Sequence, residues 1–413
     1  MEADFLAQHG QLVLFPPGPL RGRAFRKAQV IEDGAVAAFQ GRIVAAGPTQ
    51  EVRRKLRLLP RATALDCSGK VLLPGFVDCH THLVHAGTRC DEFEARLRGA
   101  SRSLLEAGGG IHRTARLTSA ASPASLERKA RADLQVMLSH GTTAAEMKSG
   151  YGLTRAAELR ILDVHRRLIA SSPMTLTSTH LAHLSLGKDS VATQCGLIAT
   201  VAREGLASAF DVFCERGAFS PAQSAELLSH AKSHGLQLRV HAEQLSRTGA
   251  AELGVSLGAL SVDHLEHISA NGIRSLARSE TIGVLLPAAT FHLQSSVLPP
   301  VRRMLDKGAA LALATDYNPG TAPVRSMQAV LGLACRLYRL RVLDALGMAT
   351  VNAACAMGFG EEMGSLQIGQ RADLVVYHAE DYREVADSFG TNLAACTVIG
   401  GKVRAGGRFS PLG

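Results

Sequence analysis

Eight short runs of apolar, strand-forming residues, each followed by a segment of helical periodicity, restrict this chain more than any other feature. They fall at Phe76–His82, Thr142–Met147, Met174–His180, Ala209–Cys214, Gln237–Ala242, Leu260–Leu265, Thr281–Leu286 and Ala309–Asp316. Runs so nearly continuous in hydrophobicity suit strands covered on both faces, as in a parallel sheet flanked by helices. The intervening segments carry helix punctuation. Ser125 opens the run LERKARADLQVMLSH, which stops at Gly141, and Ser220-Pro221 starts a helix that ends at Gly235. Eight β/α repeats predict an α/β protein built on a closed (β/α)8 TIM barrel. An open doubly wound sheet fits less well, since it uses fewer strands and a glycine-rich first turn.

The two ends of the chain read differently. Val36–Phe39, Gly41-Arg42 and Ile43–Ala46 form one hairpin pattern; Leu374–Tyr377 and Thr397–Ile399, with Gly400-Gly401 before Lys402–Arg404, form another. Neither end can bury a core alone. Residues 1–75 and 361–413 are therefore expected to join into one small β-sandwich-like domain beside a barrel spanning 76–360.

Composition removes several classes of function. The net charge of +9 could suit a polyanion, but no Lys/Arg block exceeds three and aromatics are only 4%, too few for base stacking. Nucleic acid is not an expected partner. The longest stretch without Asp, Glu, Lys or Arg, Thr281–Val301, contains three prolines, His292 and Gln294, so a strand followed by a loop is expected there rather than a membrane span. Eight cysteines without a C-x-x-C pair, and no basic-then-apolar start, point to a reducing, cytoplasmic setting.

Chemistry concentrates at the strand ends. In Pro74-Gly75-Phe76-Val77-Asp78-Cys79-His80-Thr81-His82 the two histidines are two apart, so their imidazoles share a face. Strand five ends in His241-Ala242-Glu243-Gln244, strand six holds Asp263-His264-Leu265-Glu266, and strand eight ends in Thr315-Asp316. One buried histidine is usually structural. Histidines and aspartates at four strand ends of one barrel, on the face where barrels place their chemistry, fit a divalent-metal site with a position open to water. Such an ion lowers the pKa of its water from ~15.7 towards ~7. Asp316 could touch the metal and take the water's proton, while His264 polarises or protonates the group attacked. Hydrolysis at a carbon bonded to nitrogen or oxygen follows.

These segments resemble the metal-dependent amidohydrolase superfamily and, more narrowly, its imidazolonepropionase family of ring-opening hydrolases from histidine degradation. The resemblance runs from about Val71 to Gly369. It includes His80–Arg89 with Asp91-Glu92-Phe93-Glu94, Gly108-Gly109-Gly110-Ile111, Lys148-Ser149-Gly150-Tyr151-Gly152, Asp211–Glu215, Leu285-Leu286-Pro287 and Ala314–Gly320. It implies that His80, His82, His241 and Asp316 hold one zinc or iron ion, and that Arg89, Tyr151, Asn318, Gly320 and Thr321 bind substrate. The implied reaction is 4-imidazolone-5-propanoate plus water giving N-formimidoyl-L-glutamate. A carboxylate-bearing heterocycle needs a fixed cation, and the planar guanidinium of Arg89, directly after the H-x-H strand, suits it.

The chain departs from the family pattern at three places. The strand-three substrate histidine is open between His180, which strand spacing ranks first, and His183, which follows Ala182 as the family's Ala-His does. Gln244 stands where some relatives have Glu; an amide can hydrogen-bond the ring but cannot act as a base. Two-metal relatives use a strand-four lysine, whereas strand four here ends in Cys214-Glu215 and the strand-two lysine, Lys148, is in the wrong place. One metal is expected, with Cys214 a less favoured ligand. The competing readings are another cyclic amide or amidine hydrolase, a nucleobase deaminase, and a barrel kept as a non-catalytic scaffold. Family likeness also suggests a homodimer.

Overall fold

The computed structural model describes residues 1–99, 109–184 and 189–406. Its centre is the expected barrel. Eight parallel strands lie side by side in chain order: Phe76–Asp78, Thr142–Lys148, Thr175–Ala182, Ala209–Cys214, Gln237–Ala242, Ser261–His264, Ile282–Leu285 and Leu311–Leu313. The paired part of strand one ends at Asp78, short of the expected His82, yet the chain beyond it remains stitched to both neighbours. Lys148 N donates to Thr81 O at 2.8 Å, Asp316 N to His80 O at 3.0 Å, and His82 N to Tyr317 O at 2.9 Å. The last two bonds join strand eight to strand one at the end where His80, His82 and Asp316 sit.

Helix starts follow local chemistry. The helix Pro123–Ser139 is capped by Ser122, not Ser125: the Ser122 side chain accepts from Ser125 N, and Pro123 occupies the first turn. Ser220 caps Pro221–Ser233 as expected and forms a reciprocal capping box with Gln223. The uncharged stretch holds the strand Ile282–Leu285 and then a short helix, Pro287–His292, where a loop was expected. No helix among the described residues is long and apolar enough to cross a membrane.

The chain ends build one mixed sheet. Strands Lys402–Gly406, Ala394–Ile399, Leu374–Tyr377, Val71–Pro74, Glu2–Leu14, Gln29–Phe39 and Arg42–Pro48 neighbour one another in that order, and Arg57–Asp66 pairs with Glu2–Leu14. Phe5, Leu12, Val36, Leu374 and Val398 bury their side chains together in its core. Gly75 is the junction between sheet and barrel. A Cβ there would stand 2.3 Å from Thr143 Oγ1, so the close crossing of the two sheets demands glycine.

Candidate functional site

Period-two alternation places an unusual set of side chains inside the barrel. Apolar branched residues normally fill such interiors. Here Glu146, Lys148, Asp211, Arg239 and Asp263 are buried in one ionic network. Lys148 Nζ lies 2.9 Å from Glu146 Oε1, 2.7 Å from Asp211 Oδ2 and 3.6 Å from Asp263 Oδ2. Glu146 Oε1 also accepts from Thr179 Oγ1 at 2.5 Å and faces Arg239 Nε at 3.2 Å. Unpaired charges in such a place would be strongly destabilising; each of these has an opposite partner.

The predicted metal ligands converge directly above this network. Ligand atoms of His80, His82 and Asp316 lie within 4.8 Å of one another, as do those of His80, His241 and His264. His82 Nε2 and His241 Nε2 are 3.5 Å apart, and Asp316 Oδ1 is 3.5 Å from His80 Nε2 and 3.4 Å from His82 Nε2. On His80 and His241 the opposite ring nitrogen faces a carboxylate. Asp263 Oδ2 accepts from His80 Nδ1 at 2.6 Å, and Asp211 Oδ2 faces His241 Nδ1 at 3.0 Å. Carboxylates behind imidazoles in this way fix the tautomer and aim Nε2 at a metal. His80 Nε2 is buried without a hydrogen-bond partner among the described residues, an orphan that a cation would satisfy. The imidazole and carboxylate donors therefore fit a divalent ion. Cys214, at the end of strand four, is buried but belongs to neither cluster.

The backbone is strained where the chemistry lies. Asp316, His264 and Leu265 have φ of 55°, 83° and 73°, left-handed values that L-residues seldom adopt. Burial pushes the His264 imidazole down to about 3, so the ring is neutral at pH 7. Burial also raises the Glu266 carboxyl, whose Oε2 stands 4.0 Å from His264 Nδ1, to about 8.

A cavity of about 430 Å³ opens over this centre, lined by His82, His241, His264 and Asp316 and by Arg89, Arg96 and Tyr151. Arg89 is buried, and its Nε donates to Glu92 Oε2 at 2.8 Å. Glu92 is steadied in turn by Gly110 N at 3.0 Å; of the glycine loop, Gly108 lies outside the described residues. Gly320 does not line the cavity but presses against Arg89, and a Cβ at Gly320 would fall 1.9 Å from Arg89 Nη1. Asn318 and Thr321 do line it. The Asn318 side chain is consumed by its own loop, donating to Asp316 O and Thr321 Oγ1 and accepting from Gly320 N and Thr321 N. Thr321 Oγ1 donates to Asp316 Oδ2 at 3.3 Å, so this loop sets the carboxylate's orientation. Gln244 also lines the cavity.

Strand three reverses the expected order of its two histidines. Thr179 points into the barrel, so His180 points outward, where its Nδ1 meets Ser149 Oγ at 3.2 Å and its Nε2 meets Gln194 Oε1 at 3.0 Å. His183, just beyond the strand, lines the cavity instead. Its ring stacks on His82 with centroids 5.7 Å apart, and its Nδ1 is buried without a partner among the described residues. Tyr151 covers both, 5.6 Å from His82 and 5.4 Å from His183.

Sequence reasoning missed Arg96, the orienting roles of Asp211 and Asp263, and the place of Lys148. Arg96 lines the cavity and donates to Gly320 O at 3.0 Å. A usable signal existed: charged residues two apart, or two before a histidine, within otherwise apolar strands (Glu146/Lys148, Arg239/His241) mark one interior face.

Comparison with known proteins agrees with this geometry. Residues 71–404 match the amidohydrolase family. The chain is 39% identical to the imidazolonepropionase of Geobacillus thermodenitrificans over 98% of both chains. It is 43% identical to that of Deinococcus radiodurans over 95% of this chain and 97% of the other. Among solved structures, 5-methylcytosine deaminase from Klebsiella pneumoniae superposes with a TM-score of 0.73 at 16% identity, covering 98% of this chain and 99% of that one. An adenosine deaminase from Xanthomonas campestris with bound zinc gives 0.70 at 18% identity, covering 98% and 93%. At such identities these structures establish the shared fold alone.

Proposed function

Because the chain belongs to the amidohydrolase family, in the branch of the imidazolonepropionases, we propose that it opens the ring of 4-imidazolone-5-propanoate. Water adds across the ring's amide bond: oxygen joins the carbonyl carbon, the carbon–nitrogen bond breaks, and the leaving nitrogen takes a proton. The product is N-formimidoyl-L-glutamate. One observation carries this reading beyond homology: a single cavity presents convergent histidines and Asp316 as well as the arginines Arg89 and Arg96.

His80, His82, His241 and Asp316 would hold one divalent ion, zinc or iron, since nitrogen and oxygen donors accept both. When bound there, such an ion would lower the pKa of a coordinated water and polarise the carbonyl. Asp316, which accepts a hydrogen bond from Thr321, would take the nucleophile's proton and pass it towards the leaving nitrogen. His264, neutral at pH 7, donates a hydrogen bond to the carbonyl oxygen as charge develops there. Gln244 can hydrogen-bond the ring but leaves proton transfer to these two groups. Arg89 binds the propanoate, with Tyr151 and His183 against the ring. A twofold homodimer is the proposed assembly, on the general prevalence of such pairs.

The test is metal analysis combined with turnover of the imidazolone. The expected result is one equivalent of metal, with His241→Ala losing both metal and activity. Full activity in that variant overturns the ligand assignment. Deamination of purines or pyrimidines in preference to ring opening would favour the deaminase reading, for which a carboxylate-binding arginine has no use.

A further inference from the structure

The motif Lys148-Ser149-Gly150-Tyr151-Gly152 contributes Tyr151 to the cavity, but the proposed reaction leaves its lysine unused. Lys148 is wholly buried, on strand two, and points into the barrel beneath the metal-binding cluster. Its ammonium touches two carboxylate oxygens that matter. Asp211 Oδ2, 2.7 Å from Nζ, is the atom facing His241 Nδ1 at 3.0 Å. Asp263 Oδ2, 3.6 Å from Nζ, is the atom that accepts from His80 Nδ1 at 2.6 Å. One cation on strand two thus joins the two acids, on strands four and six, that orient histidines on strands five and one.

We propose that Lys148 is the positioning residue of the metal centre: its ammonium holds Asp211 and Asp263 in register, so that both imidazoles present Nε2 to a single ion. Without that cation the two carboxylates repel each other in a buried, low-dielectric place. They must then move apart or lose charge, and either change releases a ring. Glu146 anchors the ammonium from the far side at 2.9 Å, which keeps Lys148 directed at the two aspartates. Strand position also bars Lys148 from acting as a ligand, since its three carboxylate contacts occupy the ammonium.

This inference rests on the metal-site assignment of the preceding subsection, and its test separates the two. Zinc affinity is measured by competition with a chromophoric chelator, on wild type and on Lys148→Met. The visible spectrum of the cobalt(II)-substituted protein and the thermal midpoint of the metal-free protein are recorded alongside. The expected result for folded Lys148→Met is a 10- to 100-fold loss of zinc affinity, the range seen when the partner behind a metal-bound histidine is lost. An altered cobalt spectrum should accompany it. Asp211→Asn should then add less to the loss in the Lys148→Met background than in wild type. Wild-type zinc affinity and an unchanged cobalt spectrum in Lys148→Met overturn the proposal, even if the metal-free protein is less stable. Failure of the wild type to bind zinc or cobalt overturns the site assignment itself. If Lys148→Met does not fold, Glu146→Gln/Lys148→Met removes one charge of each sign from the network and is read by the same measurements.

Discussion

Alanine at Gly320 should separate substrate binding from everything else the site does. The new Cβ would lie 1.9 Å from Arg89 Nη1, 2.2 Å from Cζ and 2.8 Å from Nε. Non-bonded carbon contacts are comfortable near 3.5–4.0 Å, so the guanidinium must retreat by roughly 1.5–2 Å. The backbone at Gly320 is not left-handed, and what moves is the end of a long side chain, so the fold should accept the change within about 1–2 kcal/mol. The carboxylate site should not accept it. A hydrogen bond to a charged group contributes about 1.5–3 kcal/mol, and each 1.4 kcal/mol is tenfold, so KM should rise by roughly 10- to 150-fold. The proposed metal ligands are untouched, and kcat should change far less. Steady-state kinetics on the imidazolone, with metal content measured on the same sample, decide the matter. Arg89→Met should give the same pattern, and the double variant should be little worse than either alone. An unchanged KM, or a raised KM accompanied by metal loss, refutes the placement of Arg89 at the carboxylate.

Two further outcomes follow from buried histidines. His183→Ala should raise KM about 2- to 10-fold with stability nearly intact, whereas His180→Ala should leave KM unchanged and lower stability by about 1–3 kcal/mol, because Ser149 and Gln194 lose their partner. Kinetics and urea unfolding of the pair would show the reverse pattern if His180 were the substrate ligand. His165, behind strand three against Ser178 Oγ, is pushed by burial down to about 3 from 6.5. The unfolded chain therefore takes up this proton first, so stability is full above pH ~6.5 and falls as pH drops towards ~3. His165→Gln should flatten the acid limb of the melting-temperature profile between pH 6.5 and 4; an unaltered limb would show that His165 does not drive it.

What was legible in the sequence depended on how local its physics is. All eight strands could be placed because covered parallel strands show their apolar character residue by residue, and the capping of Pro221–Ser233 by Ser220 needs only four consecutive residues. The cap at Ser122 was misread as Ser125 because two serines flank Pro123-Ala124, and the proline's preference for the first turn should have decided between them. His80, His82, His241 and Asp316 announced themselves by occupying strand ends. The order of His180 and His183 was not legible, since it depends on where strand three ends. That strand runs to Ala182, and side-chain parity along it decides which histidine enters the cavity.

The polar interior was hidden for a related reason. Read one strand at a time, Asp211, Arg239 and Asp263 look like blemishes in apolar runs; only closure of the barrel brings them to Lys148 and Glu146. Removing one partner from such a network leaves a buried charge uncompensated, which costs more than the pair itself contributes. The same groups orient His80 and His241. On the proposed ligand assignment, fold stability and metal affinity share a set of side chains, and substitutions inside the barrel should disturb both. Changes at His183 in the cavity wall, or at Gly320 behind Arg89, should leave metal content intact and cost little stability while altering how substrate is held.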